Sequence, residues 1–227
     1  MRNDGRSEDQ LRKIEMKLDV IKRANGSSEV RFGNTVALSA VYGPKMLFPR
    51  HIQESQTGIL RCKYNMAPFS VDERKSPGPD RRSVELSKVI RLALGPAIFL
   101  EDFPRAGIAA YVEVIQADGS TRVTGINALS LALASAGIPM KDLIVACSVG
   151  KVNDTLVVDL NGEEDNNSEC DLAFAMLPTK NLVTLLQMDG VITREEFVKL
   201  LELAKSSCEK IYEMQKQTLK ERYKGED

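Results

Sequence analysis

Residues 159–171 read DLNGEEDNNSECD: six acidic side chains and no basic one, set between an apolar run at 156–158 and another at 172–177. So charged a stretch has no place in a core, whereas the flanking Leu, Val, Ala and Phe have the composition of buried strands. The chain must therefore bring a buried strand to the surface, make a carboxylate-rich excursion opened by Asn161-Gly162, and return as another strand. Asp165 and Asp171 stand six residues apart, and Asp171 opens the second run, so a tight excursion sets both carboxylates at one strand edge. Paired carboxylates suit a divalent cation such as Mg²⁺, or general-acid catalysis if one raises the pKa of the other. The competing reading is a solvated acidic turn, the commoner fate of a charge run.

The rest of the composition narrows the chemistry. With 227 residues, 43% of them hydrophobic, the chain can bury a sizeable core in one domain or two tightly joined halves. No run approaches the roughly 18 apolar residues of a membrane span, and the charged N-terminal segment lacks the apolar middle of a signal peptide, which predicts a cytoplasmic protein without membrane association. Cys62, Cys147, Cys170 and Cys208 are too scattered for a zinc site or a secreted disulfide framework and read as reduced thiols. His51 is the one histidine, which argues against a His-based triad and against a multi-histidine metal site. Chemistry is left to carboxylates and arginines. Net charge is −1, yet residues 44–105 carry eleven Lys and Arg against seven Asp and Glu, so a basic middle faces an acidic excursion.

Along the chain, residues 14–41 read as three strands with turns at Asn25-Gly26 and Gly33-Asn34. A loop at 44–57 carrying Lys45, Arg50 and His51 precedes a strand at 59–64 and a second loop at 67–79. Asp80 stands at an N-cap position before a helix with Val84, Leu86, Val89, Ile90, Leu92 and Leu94 as its stripe. A strand at 108–116 and a turn at 117–119 lead to a helix at 120–136, rich in alanine and closed by Gly137 and Pro139. Strands follow near 143–149, before and after the acidic stretch, and at 182–188, with Asn153-Asp154 and Asp189-Gly190 as turns. Thr193 and Glu196 form a capping box for a last helix with the stripe Phe197, Leu200, Leu201, Ala204, Cys208, Ile211. The order predicts an α/β (α+β) fold of two similar halves divided near residue 105, within one domain over 1–227, with residues 225–227 a disordered tail.

Two basic clusters point to a polyanion. Gly119-Ser120-Thr121-Arg122 joins a strand to a helix start, where free amides and the helix dipole bind anions, the hydroxyls donate and Arg122 offers a planar fork. A well-capped helix with an exposed arginine is the ordinary alternative. Arg81-Arg82 opposes the dipole of another helix start, a conflict that a ligand phosphate removes. Arg61, Lys63, Tyr64 and Phe69 mix cations with aromatics, as paths for single-stranded RNA do; core packing of the two aromatic residues is equally open.

Taken together, RNDGR (2–6), the run from YNMAPFSVDERK to VIRLAL (64–94), QADGSTR (116–122), SLALASAGIPMKDL (130–143) and DLNGEEDNNSECD (159–171) resemble the RNase PH family of phosphorolytic exoribonucleases over nearly the whole chain. Through GPKMLFPRH (43–51) and MAPFSVDERK (66–75), the chain is most similar to the family's catalytic subunits in archaeal exosomes. The resemblance implies an RNase PH-like fold of two βαβα halves, and a hexameric ring in which such a subunit alternates with an inactive paralogue beneath RNA-binding cap proteins. It implies phosphate-dependent 3′→5′ trimming of single-stranded RNA. The RNA-binding arginine pair falls on Arg81 and Arg82, the phosphate-binding turn on Gly119, Ser120, Thr121 and Arg122, and the catalytic, Mg²⁺- or Mn²⁺-holding acidic positions on Asp165 and Asp171. Ser120 stands where the family commonly has Gly, and its hydroxyl is expected to donate to phosphate. Whether Asp165 acts as general acid or as metal ligand stays open, as do a non-catalytic RNA-binding ring subunit and a stand-alone tRNA-trimming enzyme.

Overall fold

A computed structural model describes residues 2–224, so the expected tail at 225–227 lies outside the described residues. Strands β1 (Ile14–Leu18), β2 (Gly26–Phe32), β3 (Thr35–Met46) and β4 (Ile59–Met66) precede helix α1 (Arg81–Leu94). Strand β5 (Ala106–Gln116), helix α2 (Thr121–Ser135), and strands β6 (Val145–Val152) and β7 (Thr155–Val158) follow. Helix α3 (Gly162–Asn166), strands β8 (Cys170–Leu177) and β9 (Leu182–Gly190), and helix α4 (Arg194–Lys224) complete the chain.

Five strands form one sheet in the order β1-β2-β3-β5-β4, antiparallel except for the β4–β5 pair, whose parallel pairing is made possible by the crossover through α1. The other four form an antiparallel sheet, β7-β6-β8-β9. Because β5 belongs to the first sheet and β6 to the second, the chain passes between sheets across α2, later than residue 105. Helix α2 packs against β2, β3 and β5 of one sheet and β6 and β8 of the other. It is buried nearly all round, including Thr124, Asn127 and Ser130, as a helix between two layers must be. Asn127 has satisfied amide bonds: its Nδ2 donates to the Val123 and Ala146 carbonyls, and its Oδ1 accepts from the Ala146 N–H.

Several local expectations change in the folded chain. Asn25-Gly26 is not the hairpin turn: β1 ends at Leu18, residues 19–25 form the loop, and Gly26 is already paired with Val41. Glycine is required at 26 because a Cβ there would run into the backbone of α2 at Ala132 and Ala136. The two-residue turn is Gly33-Asn34, between the paired Phe32 and Thr35. Asp189-Gly190 continues β9, with Gly190 opposite Cys170. On α1, Leu86, Ile90, Ala93 and Leu94 are buried while Val84 and Leu92 face outward. The stripe of α4 behaves as read, with Leu200, Ala204, Cys208 and Ile211 fully buried, and Thr193 and Glu196 exchange the bonds of a capping box. All four cysteines are free thiols. No helix among the described residues is long and apolar enough to cross a membrane.

Candidate active site

The acidic excursion folds into α3, and its six carboxylates divide by task. Asn161 caps the helix: its side chain accepts from the Glu164 N–H while the Glu164 carboxylate accepts from the Asn161 N–H. Glu164 is then clamped by Arg2, whose Nε and Nη2 each donate to it at 2.7 Å. Burial raises the Glu164 pKa, but the Arg2 bonds and the Asn161 amide outweigh burial and hold it below the usual range. Asp159 is buried against Arg12, whose Nε and Nη2 donate at 3.0 and 2.7 Å, and Arg6 lies close by. Glu169 is drawn to Lys151. Two acidic residues thus brace the loop through arginines of the N-terminal segment, a role its charge count alone does not reveal.

Glu163 is exposed, which leaves Asp165 on α3 and Asp171 at the start of β8 as partly buried carboxylates, with the charge of Asp165 acting on Asp171. Burial pushes Asp165 above the ordinary carboxylate range, with Arg82, Arg122 and Arg12 pulling the other way. Burial, and then the charge of Asp165, push Asp171 to about 6; Arg122 and Arg82 oppose this, and Asp189 adds to it. Asp189 is a residue the sequence reading missed. It stands directly opposite Asp171 in the β8–β9 register, and only the strand pairing could have found it.

Facing these acids is the start of α2. Ser120 precedes it in the left-handed region, at φ 55° and ψ 23°, and no side chain caps the helix, so its first amides are left for a ligand. The ordinary reading of a well-capped helix therefore does not hold. Ser120 does not serve as expected either: its hydroxyl donates to the Leu160 carbonyl at 2.7 Å and lies 2.6 Å from the Ser148 hydroxyl, so its one proton is already placed. Gly119 shapes the turn. Its φ is +69°, its carbonyl accepts from Thr35 Oγ1, and a Cβ there would meet the Asn161 carbonyl carbon at 2.5 Å. The Asp118 carboxylate accepts from the Gly162 N–H at 2.8 Å, which stitches the start of α2 to the start of α3. Thr121 is buried, and Arg122 carries a buried Nε without a hydrogen-bond partner.

The arginine pair separates. Asp80 caps α1 by accepting from the Ser83 N–H, and of the two arginines that follow it is Arg82 whose charge acts on Asp165 and Asp171. Both arginines are exposed, but Arg81 is not among the main charges acting on either carboxylate. On β4 the alternation sets Arg61 and Lys63 on the outer face of the sheet and Tyr64 on the inner one, where it is 1% exposed. Tyr64 thus has no ring face for a base to stack on, which corrects its reading as an RNA-stacking residue; Phe69, in the loop, is the exposed aromatic.

Among the described residues, no group of three or more His, Cys, Asp and Glu is arranged to hold a metal. Two hard carboxylates with raised pKa values nonetheless fit a Mg²⁺ or Mn²⁺ ion that keeps several waters and shares a substrate phosphate. Asp165 and Asp171 are the residues that would hold it.

Residues 10–139 match the model of the 3′ exoribonuclease family, domain 1 (RNase_PH), and residues 142–207 that of domain 2. The exosome complex component Rrp41 of Pyrococcus furiosus is 55% identical over 222 residues, covering 98% of this chain and 89% of that one. That of Methanopyrus kandleri is 50% identical over 226 residues, covering 100% and 95%. The crystal structure of rice (Oryza sativa) Rrp46 superposes with a TM-score of 0.86 at 25% identity, covering 96% of this chain and all of that one. With both halves matched by its models and relatives at least 50% identical over nearly the whole chain, this chain belongs to the RNase PH family of 3′ exoribonucleases.

Proposed function

We propose that this chain is the catalytic subunit of an archaeal-exosome-like ring, a phosphate-dependent 3′→5′ exoribonuclease that trims RNA one nucleoside diphosphate at a time. The observation that carries this reading is the uncapped start of α2, with the unpartnered Arg122 Nε, set opposite Asp165 and Asp171, both raised above the ordinary carboxylate range. The α2 amides with Thr121 and Arg122 seat inorganic phosphate. Arg82 neutralises the terminal phosphodiester of the RNA, and Arg81, Arg61 and Lys63 steer the strand from outside the site. One phosphate oxygen attacks the terminal phosphodiester, and Asp165 protonates the departing 3′-oxygen. Positioning and charge neutralisation supply most of the rate, because among the described residues the one histidine, His51, makes no hydrogen bond to a serine or cysteine for a covalent route. Where Asp165 and Asp171 instead hold a Mg²⁺ or Mn²⁺ ion, both are ionised, and the metal in place of the Asp165 proton would offset the charge developing on the leaving oxygen.

The whole chain works as one domain of two halves, since α2 belongs to the core of both and carries the phosphate seat between them. In the ring it alternates with an inactive paralogue, beneath RNA-binding cap proteins, in the cytoplasm. Incubating single-stranded RNA with the assembled ring, with and without inorganic phosphate, tests the reading. Nucleoside diphosphates formed only with phosphate are expected, while monophosphates formed without it would overturn phosphorolysis. The isolated chain is expected to be inactive until its paralogue is added, and an active homohexamer would instead identify a stand-alone enzyme.

A further inference from the structure

Tyr64 combines near-complete burial with a hydroxyl that has no hydrogen-bond partner. Its backbone N–H donates to Ser87 Oγ of α1 at 2.9 Å, and its ring lies against α2, where a Cβ on Gly125 would stand 3.8 Å from Cδ2. From there the phenol reaches the start of α2, with the Thr121 side chain beside it and Arg82, Arg122 and Asp80 around it. Burial raises the phenol's pKa against the pull of Thr121 and the two arginines, so it keeps its proton and is available as a donor near neutral pH. Leaving such a hydroxyl unpaired forfeits its hydration with nothing in return, which calls for a compensating role. The neighbouring Arg122 Nε is a second buried donor without a partner, at the same helix start. Two unmatched donors and a set of uncapped amides therefore converge on one place.

We propose that Tyr64 is a positioning residue for inorganic phosphate: when phosphate takes the seat, the Tyr64 hydroxyl, unpartnered in the free chain, donates to Thr121 Oγ1 and so turns the single Thr121 proton outward, onto a phosphate oxygen. The proposal rests on the phosphate seat argued above. A threonine at the first turn of a helix can spend its proton on other acceptors, and a donor behind it that occupies a lone pair of its oxygen leaves the proton free to point at the ligand. The ring of Tyr64 fills the core equally well as phenylalanine, so the hydroxyl alone carries the effect.

The test uses Tyr64→Phe in the assembled ring. The phosphate KM is expected to rise about 3- to 10-fold, the worth of one neutral hydrogen bond. At saturating phosphate kcat stays within about twofold and RNA affinity stays at the parent's value, while the phosphate-free unfolding midpoint holds or rises, because an unpaired buried hydroxyl is gone. The increase in midpoint on adding inorganic phosphate shrinks, a binding effect that core filling does not produce. Thr121→Val should raise KM similarly, and the double variant should be no worse than either single one, because both remove the same relay. If the parent ring degrades RNA without phosphate, the seat itself is wrong and the proposal falls with it. If the parent saturates with phosphate but Tyr64→Phe leaves its KM unchanged, or the two substitutions multiply independently, Tyr64 is a core residue and no more.

Discussion

Asp171 on β8 stands directly across the antiparallel pair from Asp189 on β9, two like charges at one rung of the sheet, with Asp165 adding a third from α3. Directly opposed like charges destabilise a sheet, and this one is kept at the site where the chemistry is proposed. A carboxylate raised to about 6 binds a proton more readily folded than unfolded, so stability falls as pH rises from the unfolded value near 3.8 through 6. Replacing Asp171 with Asn removes that loss. Without divalent cations, we expect Asp171→Asn to be more stable than the parent at pH 7, by on the order of 1–3 kcal/mol, the gap narrowing toward pH 4. Thermal unfolding at several pH values measures it; equal midpoints at pH 7 would show that the carboxylates do not oppose folding.

Asp165→Asn keeps the shape and removes both the proton and the charge. Phosphorolysis should fall by at least about 10²-fold, the usual scale for general acid–base catalysis. RNA affinity should hold or improve slightly, since a charge repelling the backbone is gone. Product analysis and equilibrium binding on the same ring separate the two, and an undiminished rate would remove Asp165 from the mechanism.

Arg82 and Arg81 should not be equivalent, although they are neighbours in sequence. Arg82→Ala is expected to lower kcat as well as RNA affinity, because its charge reaches Asp165 and Asp171. Arg81→Ala should weaken RNA binding alone, and each lost phosphate contact should reduce the log–log salt slope by roughly 0.7. Titrations at several salt concentrations, beside kcat at saturating RNA, would reveal equivalence if it existed.

Arg2→Met tests the brace from the N-terminal segment. Removing Arg2 leaves the buried Glu164 only the Asn161 N–H and the longer Arg6 contact at 3.5 Å, at a local cost of about 1–3 kcal/mol. Hydrogen exchange should quicken in residues 160–168 while the central strands stay protected, and activity should drop with it. Unchanged protection over 160–168 would mean that α3 holds itself.

What could be read from the chain alone follows from local physics. Apolar runs, the Asp80 cap, the Gly33-Asn34 turn and the Thr193–Glu196 box each act within a few residues, so the elements and the positions of Arg122, Asp165 and Asp171 along the chain were legible. The acidic composition of 159–171 and its place between strands were legible in the same way. Asp165 and Asp171 were singled out by their spacing and the family resemblance, but what occupies the other carboxylates was not legible: Asp159 and Glu164 have Arg12 and Arg2 folded against them from more than a hundred residues away. Asn25-Gly26 has the composition of a hairpin turn, but the approach of α2 to Gly26, a contact no local pattern encodes, made it the start of a strand. Ser120 looked like a donor until the Leu160 carbonyl claimed its proton, and Asp189 entered the site only when β9 paired with β8. The hydrophobic pattern, short in range, was written in the sequence, whereas the pairing of buried charges depends on distances that only the packed chain sets.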